Sequence, residues 1–396
     1  MSVPPLKTLF GNIANAIRSK KGTNASIVAS DFPQEILSIP TGGGGTPPPI
    51  TRSMPIITWI YRDKVTGKNT VVRTNVAKGG NAIPPSDVGN VQANAGENPA
   101  LTFQGWNHSS QEMQNVQTDM CIGAMYITTD GWTYFYIDLN AATGLTHVIN
   151  LRSTAGNTVT IEWMDGTANS TFTGVGAAIN KTWVGYGRKI FRARVTNGTE
   201  ELLLGGGTAM MPVIGTNVTK NRQAMKKAFI GEKTQLRQSS FVYAGLTDIS
   251  IPQGVTEIPV ESIAGSFIET VVIPSGVTEF ALNALNADRR LIDVSIPSSV
   301  TTLYTSAFRY CSYMTEIVLP GGITSIGATA FDGCTSIETY ILKALIPPTL
   351  TDVNAFSGIH SACKIFVPDS SLNNYKKATN WVTYANYIYP MSELTA

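Results

Sequence analysis

Charged residues are scarce in this chain of 396 residues. Asp, Glu, Lys and Arg together make up 14% of it, against about a quarter in typical globular proteins. The net charge is only +2, so no strong field draws the chain to nucleic acid, and we expect no nucleic-acid partner. Gly, Thr, Asn and Ser fill the gap. That composition favours β-structure with many turns and an uncharged polar surface.

Cysteine and histidine are also rare. The 4 cysteines contain no Cys-x-x-Cys pair, which argues against a zinc site and against a disulfide framework. The 3 histidines, His108, His147 and His360, fall far apart in the chain, so we expect each to be structural or on the surface.

Recognisable catalytic motifs are missing as well. The chain has no phosphate loop, no Gly-x-Ser-x-Gly elbow and no His-Glu-x-x-His motif. Glu162 and Asp165 flank a predicted turn, and a turn offers no cleft that would hold both carboxylates across a sugar. We therefore predict that the chain is not an enzyme, with no catalytic residue, no metal site and no cofactor.

Long apolar runs are absent. No stretch of about 18 apolar residues occurs, so we expect no insertion into a membrane. The first ten residues, MSVPPLKTLF, do not have the form of a secretory signal, and the last residues are polar without a wall-sorting signal. Both features favour a protein that is not secreted.

Residues 1–40 have the pattern of a helical attachment module. Leu6, Phe10, Ile13 and Ile17 recur at helical spacing over residues 5–21, and Phe32 and Ile36 give a second short helix an apolar side. Residues 41–49, TGGGGTPPP, form a Gly/Pro linker. Because about 40 residues bury too little to fold firmly alone, the apolar stripe needs a partner.

Residues 50–150 predict a β-domain. Strand patterns occur at residues 56–61, 70–76, 100–106 and 132–137, and Asp130-Gly131 predicts a hairpin turn before the last of them. The two prolines at 84–85 and the later Phe-Gln-Gly-Trp-Asn, ending at Asn107, resemble small β-grasp repeats of bacterial surface proteins.

Residues 151–220 predict a further β-domain. The stretch 158–167, TVTIEWMDGT, resembles the strand and turn of immunoglobulin-like PKD domains, with Met164 in place of the first glycine of their turn. This resemblance implies a spacer or stalk.

Residues 221–396 repeat themselves, and this is the strongest pattern in the chain. Prolines 252, 274, 297 and 320 each follow an aliphatic residue at intervals of 22, 23 and 23, Lys343 takes the next position in phase, and Pro368 closes the series. A second apolar ladder keeps step with the first. It consists of Phe241, Ile263, Leu285, Phe308, Phe331 and Phe356.

Periods of this size predict a solenoid in which each coil buries its apolar face against its neighbours. We expect short strands just before Pro252, Pro274, Pro297 and Pro320, stacked in register in one sheet. Cys311 and Cys334 are 23 residues apart, so we expect both at one buried rung. The period ends near residue 367, where the sequence predicts a helical cap with Tyr375 and Trp381 against the last coil. The fold class is therefore mainly β and modular.

The unit Ile-Pro, then Val-Thr-x-Ile, then Ala-Phe-x-x-Cys resembles the BspA-type leucine-rich repeat family, as does the ending Val-Pro, Tyr-Lys and Trp381. That family occurs in bacterial surface adhesins, protist surface proteins and phage structural proteins. The resemblance implies binding and not catalysis.

Residues 9–39 carry a second resemblance. LFGNIANAIRSKKGT and the later IVASDFPQEILSI are similar to the N-terminal segment of tail-associated proteins of phages and prophages of Gram-positive bacteria. The resemblance implies docking onto other tail or baseplate proteins, made in the bacterial cytoplasm and located in the virion. By analogy with tail appendages we expect a homo-oligomer, with a trimer favoured.

Three hypotheses of function follow. The first is a tail-fibre or baseplate-type virion component that docks by its N-terminus and presents the solenoid to a glycan or protein of the host surface. The second is a bacterial surface adhesin, and the third is a structural decoration of head, neck or tail without a receptor. Aromatic and Arg side chains outside the core ladders are the candidate receptor contacts. They are Arg289, Arg290, Tyr304, Arg309, Tyr310 and Tyr313, with Trp106 as a further candidate in the β-domain.

Overall fold

The structure is a computed structural model. It describes residues 54–94, 97–153, 157–173, 176–196, 201–205, 212–215 and 222–394. The predicted helical module and linker over residues 1–49 lie outside the described residues. So do the candidate docking residues Leu6, Phe10, Ile13, Ile17, Phe32 and Ile36.

Sheet 1 has four strands in the order β2-β1-β4-β3. Its strands are β1 (Ile56–Arg62), β2 (Asn69–Asn75), β3 (Leu101–Trp106) and β4 (Met120–Thr128). The central pair, β1 and β4, is parallel, and both edge pairs are antiparallel. Strand β1 carries large apolar residues on both faces, and all but its first residue are buried, as its central place in the sheet requires.

Sheets 2 and 3 follow along the chain. Sheet 2 has the order β14-β12-β5-β10-β7-β8, and sheet 3 has the order β13-β11-β6-β9. The strands are β5 (Thr133–Leu139), β6 (Thr146–Ser153), β7 (Thr158–Glu162), β8 (Ser170–Thr173), β9 (Ala177–Thr182), β10 (Gly187–Val195), β11 (Leu202–Leu204), β12 (Met225–Phe229), β13 (Thr234–Leu236) and β14 (Asp248–Ser250). Residues of both sheets share one hydrophobic core, in which Phe135 stacks on Phe191 with ring centroids 4.7 Å apart.

The two faces of β5 belong to two different cores. Phe135 and Ile137 point into the core shared by sheets 2 and 3, whereas Tyr134 and Tyr136 pack with the core of sheet 1. The predicted hairpin at Asp130-Gly131 is therefore wrong, because β4 and β5 enter different sheets and do not pair. Both faces of β5 are apolar and need to be buried, whereas a hairpin with one face in water would leave one of them exposed.

Sheet 2 also joins the predicted segments 50–150, 151–220 and 221–396. Strand β5 comes from the first, β10 from the second and β12 from the third, and they are direct neighbours in the order β12-β5-β10. The physical reason is that β5 and β10 lie inside the sheet, where the backbone N–H and C=O groups on both edges of each strand need hydrogen-bonding partners. The segments therefore share sheets and core instead of folding around separate ones.

The solenoid follows, and one of its sides is the continuous parallel sheet 4. Its strands are β15 (Glu257–Ile258), β17 (Glu279–Phe280), β19 (Thr302–Leu303), β21 (Ser325–Ile326) and β23 (Thr349–Leu350). The pairing stays in register from coil to coil, for example Phe280 with Leu303 and Leu303 with Ile326.

The opposite side carries the strands that precede the prolines or, in one coil, Lys343, together with one strand that follows the last coil. Beyond β14 they are β16 (Thr270–Val272), β18 (Asp293–Ser295), β20 (Glu316–Leu319), β22 (Thr339–Leu342), β24 (Lys364–Val367) and β25 (Ile388–Pro390). They do not form one sheet: β14 belongs to sheet 2, β16 pairs with β18, and β20, β22, β24 and β25 form a third group. The expectation of a single in-register sheet on this side is therefore wrong.

Sheet 1 lies across this side of the solenoid. One contact between them is the hydrogen bond that Ser295 Oγ donates to Cys121 O at 2.7 Å.

Both predicted core ladders are buried, which confirms the repeat phase. Phe308, Phe331 and Phe356 stack along the axis, with centroid distances of 5.6 and 5.3 Å and interplanar angles of 3° and 13°. Cys311 and Cys334 lie in the same core, and each thiol donates to a carbonyl of the preceding coil, Leu285 O at 3.2 Å and Phe308 O at 3.0 Å.

The last coil contains one 3-10 helix, and the described chain after it contains the short helix α1 (Leu372–Lys377) and three more 3-10 helices. The 3-10 helices are Val353–Phe356, Asp369–Ser371, Trp381–Tyr387 and Met391–Glu393. Trp381 lies 5.5 Å from the ring of Phe356, and its Nε1 donates to Pro348 O at 2.8 Å. Tyr375 packs on Trp381 and donates to Ala344 O at 2.9 Å. Both rings therefore bury apolar surface and satisfy their polar atoms.

We predict that Phe331→Ala lowers the free energy of unfolding by about 3–5 kcal/mol, because the ring is 1% exposed and is stacked on both faces. Chemical denaturation measures the loss. Tyr313→Ala is the control: its ring is 62% exposed, and the expected change is within about 0.5 kcal/mol. A loss below about 1 kcal/mol for Phe331→Ala would contradict the stacking of the rings.

Candidate binding surface on the turn side of the solenoid

The third side of the solenoid is built from tight turns whose backbone is left-handed at two repeated positions, four residues apart. The first position is occupied by Ser239, Glu261, Asn283, Ser306 and Thr329. The residues at the second position, with φ between 54° and 74°, are Tyr243, Gly265, Ala287, Tyr310, Gly333 and Gly358. The backbone N–H groups there bond to the next coil, as in Tyr310 N to Asp332 O at 2.8 Å and Gly333 N to Ser357 O at 3.0 Å. Left-handed backbone is costly for residues with a Cβ, so Tyr310 is held in it by the hydrogen bonds of the stack.

Each tyrosine at this position lies on a glycine of the next coil. A Cβ built on Gly333 would come within 2.3 Å of Tyr310 Cδ1, and one built on Gly265 would come within 2.4 Å of Tyr243 Cδ1. The ring of Tyr310 therefore rests directly on backbone, and the residue is still 37% exposed. The glycine is what allows the ring to lie so close.

Arg309 fixes the orientation of this ring. Its Nε donates to Asp332 Oδ2 at 2.8 Å, its Nη2 donates to Tyr310 Oη at 2.7 Å, and its guanidinium carbon lies 4.4 Å from the centre of the ring. The cation is thus held by a carboxylate and an aromatic face. A ring held in this way loses little side-chain entropy when it binds a partner.

A second column of side chains runs beside the first. Phe267, Arg290 and Tyr313 each lie seven residues before the proline of their coil, and the guanidinium of Arg290 lies 5.3 Å from the ring of Phe267. Arg289 and Arg290 are both exposed. We call the set Phe267, Arg289, Arg290, Arg309, Tyr310 and Tyr313 the turn-side surface.

Five of the seven candidate receptor residues therefore come from the turns of two consecutive coils. Tyr304 stands apart, at the corner directly after β19, and is 47% exposed. Trp106 lies at the end of β3 and packs edge-on against Trp59 at 5.0 Å and Phe103 at 5.6 Å. Trp106 is half-buried and contributes to the core of sheet 1.

Sequence reasoning missed Phe267 and Asp332, the partners that hold Arg290 and Arg309. The periodic glycines 265, 333 and 358 were the available signal, because a glycine at a fixed repeat position indicates a left-handed turn. The residue types of the partners carry no such signal.

Potential metal-ligating side chains are spread out in the described part of the chain. No group of three or more His, Cys, Asp or Glu residues there could hold a metal ion. Burial raises the pKa of the Cys311 thiol well above its ordinary value and that of Cys334 to about 12, so neither is a thiolate at neutral pH. Among the described residues, no helix has the length and apolar character needed to cross a bilayer.

We predict that Gly333→Ala destabilises the fold by about 1–3 kcal/mol more than Gly358→Ala does. Both substitutions place a Cβ on left-handed backbone, but only the first forces the Tyr310 ring away; a Cβ on Gly358 meets nothing closer than 3.5 Å. Thermal or chemical unfolding of the two variants gives the difference. The additional loss of stability caused by Gly333→Ala should vanish when Tyr310 is also replaced by Ala. Equal losses of stability for Gly333→Ala and Gly358→Ala, with and without Tyr310, would contradict the ring–glycine contact.

Comparison with known proteins agrees with this geometry. Residues 234–362 match the family model described as BspA type Leucine rich repeat region, in 6 copies. No curated protein matches the chain. The matched residues contain all five strands of sheet 4, the stacked phenylalanines and the turn-side surface. Residues 234–362 of this chain are therefore a BspA-type leucine-rich repeat region.

Proposed function

We propose that the chain is a surface-binding protein that holds its target on the turn-side surface. The observation that carries the proposal is the Arg309–Tyr310 pair, which is exposed and yet held in place by Asp332 and Gly333. Rigid Tyr and Arg side chains dominate the energy of protein interfaces, and aromatic faces stack on sugar rings. The BspA-type repeat supports a surface-binding or adhesin-type role.

We propose more specifically that the chain is a virion component of the tail-fibre or baseplate type. It rests on the likeness of residues 9–39 to phage tail-associated proteins and on the Gly/Pro linker at 41–49. In this proposal residues 1–40 dock onto other tail or baseplate proteins, sheets 1 to 3 act as the spacer, and the solenoid binds a glycan or protein of the host surface. The residues around Tyr375 and Trp381 act as the cap of the solenoid. The protein works without a cofactor and without catalysis, as a homo-oligomer for which we favour a trimer.

The first test replaces Arg309 and Tyr313 with Ser and Tyr310 with Asn, which tolerates left-handed backbone. We expect adsorption of the particle to host cells to fall at least about tenfold, which corresponds to about 1.4 kcal/mol. Tyr186→Ser is the matched control, because Tyr186 is an aromatic residue 57% exposed on the loop before β10, away from the solenoid. Normal adsorption by a triple variant with an unchanged melting temperature would move the binding site off this surface.

The second test concerns docking. Deletion of residues 1–40 should leave the melting temperature of the remaining chain unchanged and abolish its incorporation into the particle, because the apolar stripe is lost. Phe10→Ser combined with Ile17→Ser should have the same effect, whereas Arg18→Ser, off the stripe, should not. Particle content is measured by immunoblot of purified virions. Incorporation of the truncated chain at the normal level would refute docking by this module.

A further inference from the structure

A cavity of about 280 Å³ lies where the segment between β3 and β4 meets the solenoid. The sheet 1 side contributes His108, Glu112 and Met120, and the solenoid side contributes Ser298, Val318 and Lys343. The cavity shares no residue with the turn-side surface. Its volume is just below the range of about 300–1,000 Å³ of sites for drug-sized ligands, so it suits a ligand of about one ring.

Lys343 is the residue that breaks the proline series of the repeats. Where four coils have Pro252, Pro274, Pro297 and Pro320, this coil sends a lysine side chain to the wall of the cavity. Burial lowers the pKa of Lys343 to about 8, although Asp119 and Glu112 oppose the shift. Among the described residues, none accepts a hydrogen bond from Nζ. Such an ammonium is costly unless something else accepts its hydrogen bonds.

Glu112 provides the opposite charge in a fixed position. Its carboxylate accepts hydrogen bonds from Ser109 N and Ser109 Oγ, both at 2.8 Å. Burial acts to raise the pKa of Glu112, but hydrogen bonds from Ser298 and Ser109 outweigh it and leave the pKa below its ordinary value. Glu112 is therefore an ionised acceptor at neutral pH.

The tautomer of His108 follows from its neighbour Asn107. The amide Nδ2 of Asn107 donates to Ile273 O at 2.8 Å and Ser295 O at 3.1 Å, while its Oδ1 accepts from Gly123 N at 2.8 Å. Because this fixes Oδ1 as an acceptor, His108 Nδ1, at 2.9 Å, must donate to it. Burial lowers the pKa of His108 to about 4, so the ring is neutral and Nε2 is left as an acceptor.

The cavity thus offers a cationic donor, an anionic acceptor and a neutral acceptor beside the apolar side chains of Met120 and Val318. A simple ion would meet a like charge as well as an opposite one, and a zwitterion would lose the hydration of two charges. A sugar hydroxyl donates and accepts at once, and the C–H face of a sugar ring suits an apolar wall.

We propose that this cavity binds one neutral sugar ring of a surface polysaccharide. This inference gives a ligand class, a neutral sugar, to the proposed surface-binding function. The biological role of the cavity rests on that proposed function. Sugar binding itself is measured on the purified chain, without cells or particles, so failure of one proposal is distinguishable from failure of the other.

The first experiment is a modification footprint. The full chain is acylated at pH 7 with an amine-reactive ester, with and without methyl glycosides of glucose, galactose, rhamnose and N-acetylglucosamine at tens of millimolar, and acylation is mapped by mass spectrometry. We expect at least one glycoside to protect Lys343 several-fold and to leave Lys377, an exposed residue of α1, unprotected. Protection by glycine or alanine instead of any glycoside would overturn the assignment to a sugar, and so would no protection by any probe.

The second experiment is titration of the protecting glycoside by saturation-transfer NMR. We expect Lys343→Met to weaken binding at least about tenfold and the matched variant Lys377→Met to leave it unchanged. In the wild-type chain binding should also weaken from pH 7 to pH 9, as Lys343 loses its proton with a pKa of about 8, and Lys343→Arg should remove this pH dependence. Equal affinity of Lys343→Met and the wild-type chain would refute the role of this cavity.

Discussion

Each coil of this solenoid can bury its apolar face only against the coils beside it, and the rest of the structure depends on that constraint. Phe308, Phe331 and Phe356 are shielded by one another along the axis, so the rings at the two ends of the stack need other cover. Trp381 and Tyr384 lie on Phe356 at one end. At the other end the first strands of the repeat, β13 and β14, belong to sheets 3 and 2. The Phe356 end of the stack is therefore closed by residues that do not follow the repeat, whereas Phe280 of the repeat covers Phe308 at 5.1 Å.

The contact between sheet 1 and the solenoid contains buried polar groups. Arg62 forms a two-point ion pair with Asp248, at 3.0 and 2.5 Å, below the ring of Phe229, and both side chains are nearly inaccessible. Removal of one partner of such a pair typically costs about 3–5 kcal/mol, since the other charge stays buried. Asn107 adds hydrogen bonds to two coils at once. Because these groups satisfy one another in only one arrangement, they fix the position of the sheet on the solenoid.

The repeat could be predicted because its information is local: two apolar ladders and a proline recur every 22 or 23 residues. The arrangement of sheets could not, since the aromatic run of β5 is equally compatible with a hairpin and with a strand shared by two cores. The pairing of β5 with β10 and β12 joins residues far apart in the chain, which no local pattern specifies. For the candidate surface, repeat phase placed Arg309, Tyr310 and Tyr313 outside the core. The support from Asp332 and Gly333 appears only when the coils are stacked.

Strand β12 pairs with β5 on one edge and with β14 on the other, so one strand is at once part of sheet 2 and the start of the coil stack. A ribosome makes the strands of sheets 1 to 3 that precede β12 before it makes any coil, and N-terminal units generally fold first during synthesis. The finished sheet then offers the edge of β12 as a template on which the first coil can align. Each added coil becomes the template for the next. The coils would thus fold one after another during translation, beginning with the coil that pairs with β12.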